Sequence, residues 1–294
     1  MELLQRLRSK SMTASISTAY SRDLGDELRR LRENNTSFGG RAMAVQLGWD
    51  PSKVSNIETG KARPTEVDLA QYLATCGKGI EFLQDLADRY RHAFDLYFAQ
   101  VPDNLRTLAM VEAMATKIFS YEILSIPGLL QTEAYVRALF RHAGCESLDA
   151  IEKGVEVRME RQNIWRRPYR PECVFYVHEL ALRLRVGDAK TMEDQYLRLL
   201  FNADFVRIVP ADEVGLALKT PLQLFEFGKA SPLAYTETDL AKVFAQEPSA
   251  VASSRKFFER LDAAALDAEQ SRSMLAAYVS SLREDLHDQR TDLA

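Results

Sequence analysis

The sequence predicts a mainly α protein with a smaller α+β part: an N-terminal head of four or five helices, then a C-terminal helical domain carrying a small antiparallel sheet. Three observations lead there. Apolar residues recur at three- and four-residue spacing over most of residues 20–166. From Cys173 the pattern changes to short β-type runs, Cys173–His178, Phe205–Pro210, Leu222–Phe227 and Leu233–Thr236, separated by Gly or Pro. Helical spacing returns over about 239–286, with Phe257, Phe258, Leu261, Leu275, Val279 and Leu282 on the apolar faces.

A chain of 294 residues suits about two domains, each long enough to bury a core. The net charge of −4 argues against a general nucleic-acid glue, but the charge is unevenly spread. Residues 1–80 carry 12 Lys/Arg against 9 Asp/Glu, whereas residues 81–294 carry 26 against 33, so the basic excess lies at the N-terminus. Cys76, Cys145 and Cys173 are far apart and form no CxxC pair, which fits buried thiols in a reducing compartment. No apolar run resembles a signal peptide or a bilayer span, so a cytoplasmic protein without membrane contact is expected.

Residues 1–20, rich in Ser and Thr, are expected to form a flexible arm. Residues 21–80 form the head. Its first helix carries Leu24, Leu28 and Leu31, with Arg29, Arg30 and Arg32 between and after them. A polar break at Asn34–Ser37 leads to a short helix with Met43, Ala44 and Leu47, which stops at Gly48. Asp50 is an N-cap and Pro51 takes the first helical position of Pro51–Glu58. A fourth helix holds Val67, Leu69, Tyr72 and Leu73. The amphipathic stretch 79–98 predicts a helical linker over 81–104. The C-terminal domain spans 105–286, with helices expected at about 104–121, Gln131–Arg141, Leu148–Arg166 and Lys190–Phe201, and 287–294 is a polar tail.

The segment Ala44–Gly60, AVQLGWDPSKVSNIETG, has the layout of two short helices joined by a tight turn at Gly48. Val54 and Ile57 can face the core with Leu47. Pro51, Ser52, Lys53, Ser55 and Asn56 then face outward, where a major groove would lie. Asn56 can pair with adenine, Lys53 with guanine or a phosphate, and Ser52 with either. Lys61 and Arg63 follow the helix and can grip backbone phosphates. Arg41, beside the N–H groups near Gly39–Gly40, can do the same. The plain alternative is a four-helix cluster with solvated polar faces; in either case Trp49 and Met43 are expected in the core and not in ligand binding.

LxxxLRxLRE followed by LGWDPSKVSNIETGKxRP resembles the Xre, or Cro/CI-type, helix-turn-helix family. The resemblance implies that fold and DNA-binding mode for residues 22–80, with positions 51, 52, 53 and 56 reading bases. Pro51 stands where that family often has Gln, so its contact is apolar or absent. Further along, Ser125-Ile-Pro-Gly-Leu-Leu-Gln-Thr-Glu-Ala-Tyr135-Val-Arg-Ala138, Arg158-Met-Glu-Arg-Gln162 and His178-Glu-Leu-Ala-Leu182 resemble the C-terminal domain of a large actinobacterial group of such regulators, over about 105–280. That likeness implies an antitoxin-like regulator paired with a small acidic partner protein.

Gln131, Tyr135, Arg158, Arg161 and Gln162 are candidates for partner or ligand binding. The alternatives are a packing corner at Pro127–Thr132 and ion pairs for the arginines, with Glu179 and Glu237 as carboxylate partners. No phosphate loop, GxSxG elbow or HExxH pair is present, so no cofactor, metal or enzyme activity is expected. Ala143–Gly144 resembles the scissile pair of self-cleaving repressors, yet Gly144 fits a helix C-cap better. The expectation is a repressor-like regulator that binds a double-stranded DNA operator as a homodimer. Its C-terminal domain would dimerise or bind a small protein or effector. The alternatives are an antitoxin-like component, or a small-molecule-sensing repressor.

Overall fold

A computed structural model of the chain describes residues 17–95, 97–100, 106–144, 147–238 and 240–291. The expected arm over 1–16, Cys145 and the end of the expected tail, 292–294, lie outside the described residues. The chain divides into two compact units, Met1–Phe98 with Phe227–Pro232, and Ala99–Glu226 with Leu233–Ala294. The fold is mainly helical, with a helical N-terminal unit and a small mixed sheet among the C-terminal helices.

Among the described residues the N-terminal unit has five helices, α1 (Ala19–Asn35), α2 (Gly40–Leu47), α3 (Pro51–Glu58), α4 (Glu66–Thr75) and α5 (Ile80–Arg89). Leu24 and Leu28 of α1, Met43 of α2, Val54 and Ile57 of α3, Tyr72 and Leu73 of α4 and Leu86 of α5 are buried, as the helical spacing required. Thr18 caps α1 in a reciprocal box with Ser21, and Thr65 caps α4 with Asp68.

Two boundaries differ from the sequence reading. Residues 17–20 do not belong to an arm, because Thr18, Ala19 and Tyr20 are buried. The helix expected over 79–98 ends at Arg89, so the described part of 81–104 is not one continuous helix. Side chains of α1 and its cap take up the backbone there: the Tyr20 hydroxyl donates to the Arg89 carbonyl and the Thr18 hydroxyl to that of Ala93. Arg89 forks onto Glu27 at 2.8 Å through both nitrogens, and the Tyr90 hydroxyl donates to Asp23 and Glu27. A strand, β1 (Tyr97–Gln100), follows.

One close approach sets how α1 lies on α3. A Cβ added to Gly25 would come within 2.6 Å of the Glu58 carbonyl oxygen and 2.7 Å of that of Ile57. In an open helix Gly→Ala gains about 1 kcal/mol. At Gly25 the sign should reverse, since backbone cannot yield as a flexible side chain can. Gly25→Ala is expected to cost about 1–3 kcal/mol as overpacking, read as a lowered urea midpoint of the head. A raised midpoint would show that α1 does not press on α3 in this way.

The C-terminal unit carries β2 (Lys117–Glu122), β3 (Glu172–His178), β4 (Val206–Val209), β5 (Leu222–Glu226), β6 (Leu233–Glu237) and β7 (Lys242–Ala245). The sheet order is β1-β7-β6-β5-β2-β3-β4. The sheet is mixed rather than antiparallel. β2 runs parallel to β3, and β3 parallel to β4, with Lys117 opposite Glu172 and Phe175 opposite Val206. Helices α7 (Glu133–His142) and α8 (Leu148–Arg161) separate β2 from β3. Helices α9 (Glu179–Arg183) and α10 (Ala189–Leu200) separate β3 from β4. Such long crossovers permit parallel pairing, while the short connections of β5, β6 and β7 give antiparallel pairs.

The helix expected over 104–121 is α6 (Arg106–Met114) followed by strand β2. β7 was not foreseen. After the short α11 (Val214–Ala217), α12 (Pro248–Ala264) packs Phe258 and Leu261 onto Tyr121, Tyr176 and Leu224 of the sheet. Helix α13 (Ala268–Thr291) packs on α10, with Tyr278 and Tyr196 ring centroids 5.6 Å apart.

Candidate nucleic-acid interface and C-terminal cavity

Gly48 takes a left-handed conformation, φ 67°, and the Trp49 N–H closes onto the Ala44 carbonyl at 2.8 Å, so the chain turns sharply between α2 and α3. Asp50 accepts from the Ser52 N–H at 2.7 Å and Pro51 occupies the first position of α3. Val54 and Ile57 are 1% and 3% exposed, which turns the opposite edge of α3 outward. On that edge Pro51, Ser52 and Ser55 are exposed and Asn56 is half-buried.

The inner end of α3 is held by an ion pair that the sequence reading missed. Arg32 forks onto the Glu58 carboxylate at 2.7 and 2.8 Å, with side-chain exposures of 7% and 5%. The Tyr72 hydroxyl donates to the same carboxylate at 2.7 Å, and Arg29 approaches it at 3.4 Å. Burial pushes the Glu58 carboxyl up, but hydrogen bonds from Arg32 and Tyr72 and the Arg32 and Arg29 charges outweigh it, so its pKa lies below the usual value. The signal was legible: Leu24, Leu28 and Arg32 share one helical stripe, so Arg32 had to be buried.

Of the expected DNA contacts, the structure leaves some outward and engages others. Arg41 is exposed beside Gly40, at the start of a helix with no side-chain cap, and lines a cleft of about 620 Å³ with Arg29, Pro51, Ser52 and Ser55. Lys61 is exposed. Lys53 turns back, bonding Asp68 of α4 at 2.6 Å with its ammonium 4.2 Å from the Trp49 ring centre. Burial raises the Asp68 carboxyl, yet bonds from Lys53 and Thr65 bring it below its ordinary value. Arg63 bonds Asp95 at 2.6 Å. In this structure Lys53 and Arg63 are therefore engaged in part-exposed ion pairs within the head. Met43 is core, whereas Trp49 is half-buried and donates to Gln71 at 3.2 Å.

In the C-terminal unit the Pro127–Thr132 segment is a tightly bonded corner. Gln162 donates to the carbonyls of Gly128 and Gln131, Trp165 to that of Leu129, and Gln195 to that of Leu130. Gln131 is buried and donates to the Ile126 carbonyl at 2.7 Å. Tyr135 is fully buried, and its hydroxyl accepts from the Ile126 N–H. Gln131, Tyr135 and Gln162 thus support the corner. Arg161 forks onto Glu112 at 2.8 and 2.6 Å, a pair with 5% and 3% side-chain exposure. Arg158 and Arg161 both line a cavity of about 1330 Å³. Glu179 accepts from Arg183, Tyr278 and the Ala211 N–H, while Glu237 accepts from Tyr235. Gly144 follows α7 with φ 81°, as a C-terminal stop requires. Among the described residues no cluster of His, Cys, Asp and Glu could hold a metal, and no helix is long and apolar enough to cross a membrane.

The N-terminal geometry defines a helix-turn-helix protein, and a family model described as a helix-turn-helix domain matches residues 23–81. A second, described as a domain of unknown function (DUF5753), matches residues 105–277, more than half of the chain, and the chain belongs to that family. Comparison with curated proteins and with solved structures gave no match.

Proposed function

We propose that the protein is a sequence-specific transcription regulator of the Xre type that binds an operator through α3. The observation that carries this is the outward edge of α3, where Pro51, Ser52 and Ser55 are exposed beside half-buried Asn56 on a helix whose other edge is locked by Val54, Ile57 and Glu58. Rigid presentation of short polar side chains suits readout in a major groove. Asn56 takes an adenine, Ser52 and Ser55 take base edges or phosphates, and Pro51 offers only an apolar contact. Arg41 and Lys61 supply phosphate contacts. Lys53 and Arg63 join them only by exchanging Asp68 and Asp95 for DNA. Two copies reading half-sites roughly 34 Å apart fit a twofold operator. The reading is of a repressor-like cytoplasmic binding protein without cofactor or catalysis, whose C-terminal unit governs when the head binds.

The test begins with genomic fragments retained by the purified full chain, which yield an operator. Asn56→Ala is then expected to weaken operator binding by about 1–3 kcal/mol and to relax preference at one base pair. Equal affinity and unaltered base preference in a selection assay would remove Asn56 from the interface.

A further inference from the structure

The cavity in the C-terminal unit has a wall from each of α6, α7 and α8, and the β6–β7 turn lines another side. Leu139, Phe140, Val157 and Ile164 give it apolar surface. Its lining also carries five basic side chains against three carboxylates. The two arginines that α8 sends to it are unequally served. Arg161 is matched by the Glu112 carboxylate. Arg158 donates at 2.9 Å to the neutral side chain of Gln131, and its guanidinium lies 5.8 Å from the Phe140 ring centre. Its Nε is buried with no hydrogen-bond partner. Both guanidinium groups rest against Gly128, where a Cβ would meet them at 3.5 and 3.6 Å.

A guanidinium cannot shed its proton to escape burial. Burial and the adjacent Arg161 both oppose the Arg158 charge, and the opposing pull of Glu237, Glu122 and Glu112 does not restore it to its usual value. Glu237 already accepts from the Tyr235 hydroxyl at 2.5 Å. Burial, helped by Glu237, pushes the Glu122 carboxyl up to about 8, so at neutral pH it is mostly protonated and a weak counter-charge. The cavity lining therefore includes a cation, Arg158, that has one buried donor without a partner and an incomplete counter-charge, next to apolar side chains. Sites for small ligands combine the same features, an apolar lining and a few converging polar groups.

We propose that this cavity binds a small organic anion, with a carboxylate head on the Arg158 guanidinium and an apolar body along Phe140, Leu139 and Val157. A planar fork of N–H donors fits a carboxylate in two-point contact. Lys153, exposed at the rim, adds long-range attraction for the same charge.

The test uses the full chain and three probes of one chain length, octanoate, octylamine and octanol, in titration calorimetry. No DNA is present, so the outcome is independent of the reading of the head. Octanoate is expected to bind, and octylamine and octanol to bind at least about tenfold more weakly, since one charged hydrogen bond accounts for that factor. Arg158→Met should reduce octanoate affinity by at least about tenfold. Because Arg158 also ties into the corner through Gln131, circular dichroism must show the variant folded. If it is not, two exposed lining residues carry the test, Lys153→Glu at the rim and Ala150→Trp as a block, each expected to weaken octanoate several-fold. Absence of octanoate binding, equal binding of octylamine, or affinity unchanged in the folded variants overturns the proposal.

Discussion

Glu58→Ala is expected to destabilise the N-terminal unit by about 3–5 kcal/mol, the range for removing one member of a buried ion pair. The loss is large because of what remains. Arg32, 7% exposed in its side chain, would keep its charge with the Phe38 carbonyl and an outlying Glu33 carboxylate as acceptors, and the Tyr72 hydroxyl would lose its strongest one. A head of this size has only a few kcal/mol to lose. The measurement is urea unfolding of the full chain followed by Trp49 fluorescence in a Trp165→Phe background, since these are the two tryptophans. Replacing the pair together, Arg32→Met with Glu58→Leu, should recover most of the loss, because neither charge is then buried alone. Acid has the same effect in milder form. The Glu58 pKa is lower folded than unfolded, so its contribution is present above the ordinary carboxylate value and disappears as pH falls through the folded one. Operator affinity would fall with the folded fraction while base preference stayed unchanged, which separates this variant from Asn56→Ala. An unaltered urea midpoint would mean that the ion pair does not hold α3.

Much of the head could be read from residue types because its determinants are local. Gly48, Asp50 and Pro51 specify a turn, a cap and a first helical position within four residues, and Val54 and Ile57 then fix which edge of α3 is buried. What escaped the sequence was pairing at a distance. Lys53 and Asp68 are 15 residues apart, Arg63 and Asp95 are 32 apart, and nothing local says that these cations are taken. The end of α5 was hidden for the same reason, since the acceptors of Tyr20 and Thr18 lie about seventy residues away. The sheet shows the limit for strands. Lys117–Glu122 lacks a clean alternation, with Ile118 and Phe119 adjacent, and Leu108 and Val111 just before it have helical spacing, so the two patterns merge into one apparent helix. Parallel pairing of β2 with β3 depends on where α7 and α8 pack, which spacing alone does not state.

Glu112→Ala should affect the C-terminal unit as strongly, about 3–5 kcal/mol, for a sharper electrostatic reason. Arg161 would lose both of its 2.6 and 2.8 Å bonds at a site where the pair is 5% and 3% exposed. Its guanidinium lies against Gly128 together with that of Arg158, so buried Arg161 and half-buried Arg158 would be neighbouring cations with the one carboxylate that bonds Arg161 removed. Trp165, packed against Phe175 and Phe205 with ring centroids 6.0 and 5.7 Å away, reports unfolding of this unit in a Trp49→Phe background. Glu112→Gln is the informative companion. It keeps an acceptor for one guanidinium bond while removing the charge, so it separates hydrogen bonding from charge balance. If charge balance dominates, Gln should be nearly as harmful as Ala, and octanoate should raise the melting temperature of the Gln variant more than that of the wild type, because the anion restores what was taken away. If Gln behaves like Glu and octanoate stabilises both equally, then geometry at the corner, and not the charge on Arg158 and Arg161, sets the stability of the cavity.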